Sequence, residues 1–335
     1  KNVKLTGDFN GDSYLDFIYN NGLVKLGALD NENFTNISTN KYFNYTSVVV
    51  SSLIDSDGSI FNGNGVIQVE DNKLVGYVLK NNQFQKVFEK EIFSSVCSDS
   101  NYANCSYGIT LKEGDINGDG ITDAFITAKA YIQEYYPCDE PGGPQLKNIP
   151  PGYCVRTVES NIGNFVVDLK NTNNPVSIYF NDALIADTSA DKYIDIDGDG
   201  KIEVLNIAND KWTVYEFVKN GTNQYLKKIK FSANLADYRE NEFPILYGDY
   251  NGDGKLDFAI PTANKSYNWR FYIGTGNGFT NHVKNDFLFY RNPIKDSSNG
   301  YVWNINQYFY SVSDLNRDGK SDISCTFSYN QIIQG

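Results

Sequence analysis

The residues best suited to chemistry in this chain are carboxylates and amides that recur at alternate positions of short, glycine-containing loops. Five segments share this arrangement, with an acidic residue at the first, fifth and ninth positions and Asn or Asp at the third. Side chains at alternate positions of a tight loop converge on one point, and hard oxygens of this kind are ligands that Ca²⁺ prefers. The spacing therefore predicts calcium binding.

We expect each loop to bind one ion through the side chains at positions one, three, five and nine and the main-chain carbonyl at position seven. The predicted ligands are Asp8, Asn10, Asp12, Tyr14 and Asp16; Asp115, Asn117, Asp119, Ile121 and Asp123; Asp195, Asp197, Asp199, Lys201 and Glu203; Asp249, Asn251, Asp253, Lys255 and Asp257; and Asp314, Asn316, Asp318, Lys320 and Asp322. Mg²⁺ is an alternative that prefers to keep its waters. An EF-hand is excluded, since neither flanking helices nor a Glu at position twelve accompany the loops.

Two loops depart from the common pattern. The loop from Asp195 to Glu203 has four carboxylates where the others have three, so we expect it to bind calcium most tightly and to empty last. Four loops have glycine at position six, which permits a positive φ, whereas the first has Ser13, where we expect a strained or weaker turn.

A sixth copy is hidden between the first two loops. The segment Ile60–Gln68 aligns without gaps to Asp8–Asp16 and keeps asparagine and glycine, but it lacks the carboxylates. We expect it to form the turn without the ion.

The spacing of the six copies indicates the elements that carry them. Successive copies begin 52, 55, 80, 54 and 65 residues apart, and a unit of about 50 residues is the size of a four-stranded propeller blade. Each loop is flanked by short apolar runs, and a second pair of runs joined by an Asn- and Gly-rich turn follows, as in RFYIGTGNGFTNHVK. The predicted fold class is therefore all-β, a β-propeller of four-stranded blades.

The unit boundaries predict one propeller domain over residues 1–335. The 80-residue interval contains an insertion at about residues 131–160. After the last loop only one further strand fits, so we count five complete units and a half. We expect this chain to be a segment of a longer polypeptide whose ring contains six or seven blades.

The cysteines indicate an oxidising compartment. Cys97, Cys105, Cys138 and Cys154 lie in one stretch without zinc-ligand spacing, and disulfides fit them better. Pairing Cys97 with Cys105 and Cys138 with Cys154 closes two short loops, although four cysteines allow three pairings. We expect Cys325 to be a small buried residue.

Charge and hydropathy exclude two classes of partner. A formal charge of −12 without a basic stripe argues against nucleic acid. No apolar run approaches the roughly 18 to 20 residues that a membrane-spanning helix needs. Because the cysteines indicate an oxidising compartment, we expect a protein that is secreted or exposed at the cell surface.

The loops of the form GDxNGDGxxDF, together with RFYIGTGNGF, resemble the FG-GAP/VCBS repeats of integrin-like β-propellers, especially those of bacterial Rhs- and Tc-type toxin shells. The resemblance covers nearly the whole chain. It implies calcium at Asp8, Asn10, Asp12, Asp16 and the matching residues of the other four loops. It also implies an extracellular, bacterial setting, but it specifies activity hardly at all.

The function that these features favour is a binding or scaffold module that recognises a protein or glycan, in which the insertion is a candidate contact region. The alternative is an enzyme, a lyase or hydrolase acting on polysaccharide. The single histidine, His282, is more often a surface residue than a base, and no G-x-S-x-G motif accompanies it. Trp212, Trp269 and Trp303 are interpreted as packing residues. No catalytic residue is predicted.

Overall fold

The computed structural model describes residues 3–28, 34–39, 41–54, 57–97, 102–137, 153–171, 177–181, 191–208, 210–235, 245–261, 269–284, 295–296 and 301–333. Every regular element in these ranges is a β-strand, which confirms the all-β prediction. None of the described residues forms a helix long and apolar enough to cross a membrane. The chain divides into two compact units, Lys1–Asp187 with Val218–Lys227, and Thr188–Phe217 with Lys228–Gly335. The single domain over residues 1–335 stays a prediction.

The first unit contains three sheets whose strand order follows the chain. Their strands are β1 (Val3–Gly7), β2 (Asp16–Tyr19), β3 (Leu23–Leu26) and β4 (Thr35–Ser38); β5 (Val48–Val50), β6 (Gly65–Glu70), β7 (Lys73–Lys80) and β8 (Gln83–Glu91); and β9 (Tyr102–Gly114), β10 (Asp123–Pro137), β11 (Tyr153–Val167) and β12 (Ser177–Asn181). Neighbouring strands within each sheet are antiparallel. Strand β12 also pairs in parallel with Gln224–Lys227, a segment of the same unit.

The sheets of the second unit repeat this order. Their strands are β13 (Lys192–Ile194), β14 (Glu203–Ala208), β15 (Lys211–Lys219) and β16 (Gln224–Asn234); β17 (Leu246–Gly248), β18 (Asp257–Pro261), β19 (Trp269–Gly274) and β20 (Phe279–Lys284); and β21 (Lys295–Asp296), β22 (Tyr301–Ser313) and β23 (Asp322–Ile333). The tip of the β15–β16 hairpin belongs to the first unit. The predicted four-stranded repeat and its second hairpins are confirmed. The last sheet has three described strands, of which β21 precedes the two that the last acidic loop connects.

Both faces of the inner strands are buried. In β6, the adjacent residues Val66 and Ile67 point to opposite faces, yet neither is exposed. Val66 packs with residues of the first sheet such as Ile18, whereas Ile67 packs with residues of the third such as Ile126. The outer strand β8, with sequence QFQKVFEKE, has mainly exposed or half-buried residues. This burial pattern is typical of sheets stacked face to face, as propeller blades are.

The middle sheet of the second unit follows the same rule. Phe258 stacks on Tyr272 with ring centroids 4.6 Å apart, on the face that also packs against Trp212 of β15. The neighbouring residue Ala259 lies on the other face, in a cluster with Trp269 that packs against β22 and β23. Trp212 and Trp269 are buried, which confirms their interpretation as packing residues. The side chain of Trp303 lies outside the described residues.

The predicted insertion begins as an extension of β10 and β11, which pair from Ala124 and Val167 as far as Pro137 and Tyr153. Residues 138–152 lie outside the described ranges. The predicted disulfide between Cys97 and Cys105 is confirmed. Cys154 is also disulfide-bonded, while its predicted partner Cys138 lies outside the described residues.

Two local predictions are corrected. The connection between β5 and β6 runs from Ser51 to Asn64, with Val50 paired to Gly65 as Gly7 is paired to Asp16. Gly65 therefore occupies the ninth position of this repeat, and the alignment of Ile60–Gln68, which put Gln68 there, is wrong by three residues. Cys325 has a free thiol that is half-buried instead of buried.

Candidate metal centres

All five acidic loops connect two consecutive antiparallel strands, and all five are closed by the same pair of loop positions. The last residue of the first strand pairs with the ninth residue of the loop, as Gly7 does with Asp16 and Gly248 with Asp257. The same pairing closes the other three loops. The hairpin register therefore fixes the first and ninth positions close together, as a shared ligand set requires.

The first aspartate of each loop is held by main-chain N–H groups of the loop itself. In the loop from Asp249, one carboxylate oxygen accepts from Gly252 N at 2.7 Å and the other accepts from Gly254 N at 2.7 Å. Corresponding bonds recur at Asp8, Asp115 and Asp195, and Asp314 accepts from the sixth-position residue Gly319 and the fifth-position residue Asp318. These contacts wrap the backbone around the carboxylate and orient it without a metal.

The third and fifth side chains also turn into the loop. Asn251 Oδ1 accepts from Asp253 N at 3.0 Å, and Asp253 Oδ1 accepts from Lys255 N at 2.9 Å. The fifth-to-seventh bond is present in all five loops. The structure thus places the first, third, fifth and ninth side chains of each loop at one hairpin end, and their role as metal ligands stays a prediction.

Two backbone positions make this wrapping possible, and the sequence analysis recognised only one. Position six has a positive φ in every loop, including Ser13 at 69°, where a Cβ disfavours this conformation. Position four is also left-handed. It is glycine in four loops and Arg317, at a φ of 62°, in the fifth. The glycines at position four were the available signal.

The ninth carboxylate links the loop to the core. One of its oxygens accepts from the N–H of the second loop residue in all five loops, at 2.7 to 3.0 Å. The other oxygen differs from loop to loop. In Asp16 and Asp257 it accepts a main-chain N–H from Gly27 and Gly274, at 2.8 and 2.7 Å respectively. Both carboxyls are fully buried, and burial raises the pKa of each.

Asp123 is the ninth residue of the third loop and is 1% exposed. Its Oδ2 accepts from Ile116 N at 3.0 Å, but its buried Oδ1 has no hydrogen-bond partner. Burial, together with the neighbouring carboxylates of Asp168 and Asp115, raises the pKa of Asp123 to about 8. A buried acceptor that lacks a donor, among other acidic groups, fits a bound cation.

The loop from Asp195 combines an acidic cluster with an ammonium group. Carboxylate oxygens of Asp195, Asp197 and Glu203 lie within 4.8 Å of one another, close enough to hold a metal ion. Lys230 Nζ donates to Asp197 Oδ2 at 2.7 Å and to Glu203 Oε1 at 2.9 Å. Burial lowers the pKa of Lys230, but these two bonds raise it above the ordinary range.

A hydrogen-bonded clasp, which the sequence analysis missed, connects two of the acidic loops to the next repeat. Asp8 N donates to Asn64 Oδ1 at 2.6 Å, and Asn64 N donates to Asp8 O at 2.5 Å. Asp249 and Ser321 form the same reciprocal pair, at 2.9 and 2.6 Å. Asn64 directly precedes β6, and Ser321 directly precedes β23. Polar residues at this eighth position were the signal in the sequence.

Replacing Asn64 by alanine should destabilise the first unit, because the N–H of Asp8 loses its acceptor. We expect a loss of about 1–2 kcal/mol in the free energy of unfolding, measured by denaturant titration. Asn62→Ala is the matched control. The Asn62 side chain is exposed and donates to Gly11 O at 3.2 Å, so its loss should cost under about 0.5 kcal/mol. Equal effects of the two substitutions would contradict the clasp.

A cavity of about 420 Å³ lies in the second unit, beside the loops from Asp249 and Asp314. Its lining includes Tyr250, Asn251, Phe271, His282, Ser321 and Asp322. The rings of Tyr250 and Phe271 pack edge to face with centroids 5.0 Å apart. His282 is exposed on β20, in agreement with its interpretation as a surface residue. The cavity thus combines aromatic surface with amide, imidazole, hydroxyl and carboxylate groups.

Residues 195–260 match the family model of the FG-GAP-like repeat, which agrees with the resemblance found in the loops. A search of curated proteins finds no match to the chain. The match and the stacked sheets support an FG-GAP/VCBS-repeat, propeller-like fold.

Two solved structures are similar to the chain. One, described as the structural basis of specific recognition of non-reducing terminal N-acetylglucosamine by an Agrocybe aegerita lectin, is 14% identical with a TM-score of 0.50. The alignment covers 96% of this chain and 74% of the lectin chain. The other is a putative 6-phosphogluconolactonase from Bacteroides fragilis, 11% identical with a TM-score of 0.36, covering 96% and 97% of the two chains. The first likeness supports the all-β fold.

Proposed function

We propose that this protein is a calcium-stabilised binding module that acts outside the cytoplasm and recognises a glycan. The proposed calcium binding rests on the hydrogen-bonded arrangement that the five loops share. Each gathers carboxylates with main-chain N–H groups, and Asp123 keeps a buried oxygen without a donor. Carboxylate, amide and carbonyl oxygens at this spacing suit Ca²⁺.

The chain's own residues set the binding geometry. The first carboxylate is oriented by N–H groups at positions four and six, and the third and fifth side chains are turned inward by their bonds to the backbone. The ninth carboxylate connects the loop to the second strand. A bound ion would supply positive charge that offsets the repulsion among these carboxylates and so stabilises the folded hairpin.

A location outside the cytoplasm is supported by the disulfides. The bond between Cys97 and Cys105 and the oxidised state of Cys154 are typical of oxidising compartments. Such compartments also contain millimolar calcium, which loops of weak affinity require. Within this setting we propose a surface- or toxin-associated role of the kind that the Rhs- and Tc-like resemblance implies.

The cavity beside Tyr250 supports a glycan as the ligand. Sugar rings have apolar faces that pack on aromatic side chains and hydroxyl groups that need donors and acceptors at the rim. Tyr250 and Phe271 offer aromatic surface for the sugar ring, and Asn251, His282 and Asp322 offer hydrogen-bonding groups for its hydroxyls. The lectin with the similar fold recognises terminal N-acetylglucosamine, which makes amino sugars the first probes.

A glycan array probed with the calcium-loaded protein tests this proposal. We expect binding that falls about tenfold in His282→Ala, because the variant loses a hydrogen bond at the cavity. Asn281→Ala is the matched control, since adjacent strand residues point to opposite faces and Asn281 is exposed away from the cavity. Absence of glycan binding, or equal loss in both variants, would contradict the proposed ligand. Release of shortened glycans would favour a lyase or hydrolase instead.

A further inference from the structure

Lys230 places a positive charge among the predicted ligands of the loop from Asp195 to Glu203. Strand β16 carries it, 27 residues beyond the end of the loop. Its ammonium group bonds the third and ninth positions together, at 2.7 Å from Asp197 and 2.9 Å from Glu203. The side chains are 17%, 15% and 3% exposed for Lys230, Asp197 and Glu203. This ion pair is therefore largely shielded from solvent and is screened less than a surface pair.

The Lys230 ammonium lies among the carboxylates that a bound metal ion would also need. Asp195, the first residue of the loop, has a carboxylate oxygen within 4.8 Å of carboxylate oxygens of Asp197 and Glu203, the two residues that Lys230 bonds. The three carboxylates thus converge around one point, and Lys230 bonds two of them directly. A divalent ion at that point would lie about 4 Å or less from an ammonium of the same sign, which is unfavourable unless Lys230 moves away.

Two other loops satisfy the ninth carboxylate without a lysine. The second oxygen of Asp16 and that of Asp257 each accept from a main-chain N–H group, whereas the second oxygen of Glu203 accepts from Lys230. Two lysines lie near other loops, but both contact only the fifth position, at 3.4 Å: Lys170 reaches Asp119 and Lys255 reaches Asp253. Neither ammonium bridges two ligand positions, so neither blocks the point of convergence.

The loop from Asp195 to Glu203 has one carboxylate more than the other loops, which Lys230 can offset. Position three is Asp197 where the other four loops have asparagine, which gives four carboxylates instead of three. Position nine is Glu203, one methylene longer than aspartate, and its length lets one oxygen accept from Ile196 N while the other meets Lys230. With Lys230 set against one carboxylate, three carboxylate charges remain among the predicted ligands, which is the number that each other loop has.

We propose that Lys230 is a tethered cation that takes the place of calcium in the loop from Asp195 to Glu203. This loop keeps its structure without metal and binds calcium more weakly than the loops from Asp8, Asp115 and Asp249. The order expected from carboxylate count alone is thereby reversed. The inference rests on the proposed calcium binding of the other loops.

The test is calcium titration of the full chain by isothermal calorimetry, with Lys230→Met compared to wild type. Methionine keeps the length of the side chain and removes the charge, so the variant should bind one more calcium ion per chain than wild type. It should also lose stability in chelator, because four carboxylates are left without a cation. Lys228→Met, an exposed lysine on the same strand, should change neither quantity.

A double variant covers the case in which Lys230→Met does not fold. Asp197→Asn with Lys230→Met recreates the three-carboxylate, third-position-asparagine pattern of the other loops, and it should fold and bind the additional ion. Equal calcium stoichiometry and affinities in wild type and both Lys230 variants would overturn the tethered cation. Absence of calcium binding in wild type, with one ion bound by the double variant, would overturn the proposed function of the other loops while supporting the role of Lys230.

Discussion

Removal of calcium by excess chelator should lower the melting temperature by roughly 20 °C. An ion that binds only the folded loop contributes about 2.7 kcal/mol when its concentration is 100 times the dissociation constant. Four such loops would supply roughly 10 kcal/mol, and a protein of this size shifts by about 2 °C per kcal/mol. Differential scanning calorimetry in calcium and in chelator, at equal ionic strength, measures the shift. An unchanged melt would contradict calcium binding.

Single-loop variants separate metal loss from a general effect of chelator. Asp249→Asn removes a first-position carboxylate and should abolish one loop's share of the calcium-dependent stabilisation. Asp57→Asn is the matched control, since Asp57 lies in the connection between β5 and β6 and is fully exposed. Asp57→Asn should show the same difference between its melting temperatures in calcium and in chelator as wild type. Equal losses in both variants would indicate that the stabilisation does not come from the acidic loops.

The repeat and its hairpins could be predicted because they depend on local sequence. A loop such as GDYNGDGKLDF contains its own turn glycines and its own ligands, and the strands on either side follow from runs such as KLDFAIP. The positions of these loops predicted correctly the two strands that flank each of them. In each case the chain within about ten residues determines the hairpin.

The connection before β6 shows where local pattern fails. Its Asn and Gly residues matched the acidic loops, but the segment from Ser51 to Asn64 is longer and contains its own bridge between Ile54 and Ile60. The register is set instead by burial of alternate residues in β6, Val66 toward the first sheet and Ile67 toward the third. Glycine and asparagine signal a turn without fixing its length.

Contacts between residues that are distant in the sequence could not be predicted from local sequence patterns. Lys230 bonds Asp197 from 33 positions away, and the four-carboxylate loop therefore looked like the strongest site when only its own residues were counted. Asp168, the residue directly after β11, raises the pKa of Asp123 from 45 positions away in the sequence. Lys230 and Asp168 lie on or directly after a strand of the second hairpin, whose position relative to the loop depends on tertiary packing.

The pH dependence of stability should change sign with calcium, through Asp123. In chelator, the folded state holds the Asp123 proton up to about pH 8, whereas the unfolded chain releases it near the ordinary value of 3.8. Folding therefore takes up a proton between these values, and this carboxyl's contribution is complete below about pH 4 and lost as the pH rises toward 8. We expect a loss on the order of a few kcal/mol.

The comparison of wild type with Asp123→Asn isolates that carboxyl from His282 and the other groups that titrate in the same range. In chelator, the variant should become more stable than wild type as the pH rises from 5 to 8, because asparagine carries no charge to bury and retains an oxygen to accept from Ile116 N. In excess calcium at pH 8 the order should reverse, since the variant has lost a ligand charge. Denaturant titrations at both pH values measure the four free energies. If the free energies of wild type and Asp123→Asn differ by an amount that is independent of both pH and calcium, Asp123 does not bind a cation. Its buried oxygen would then interact with an uncharged group.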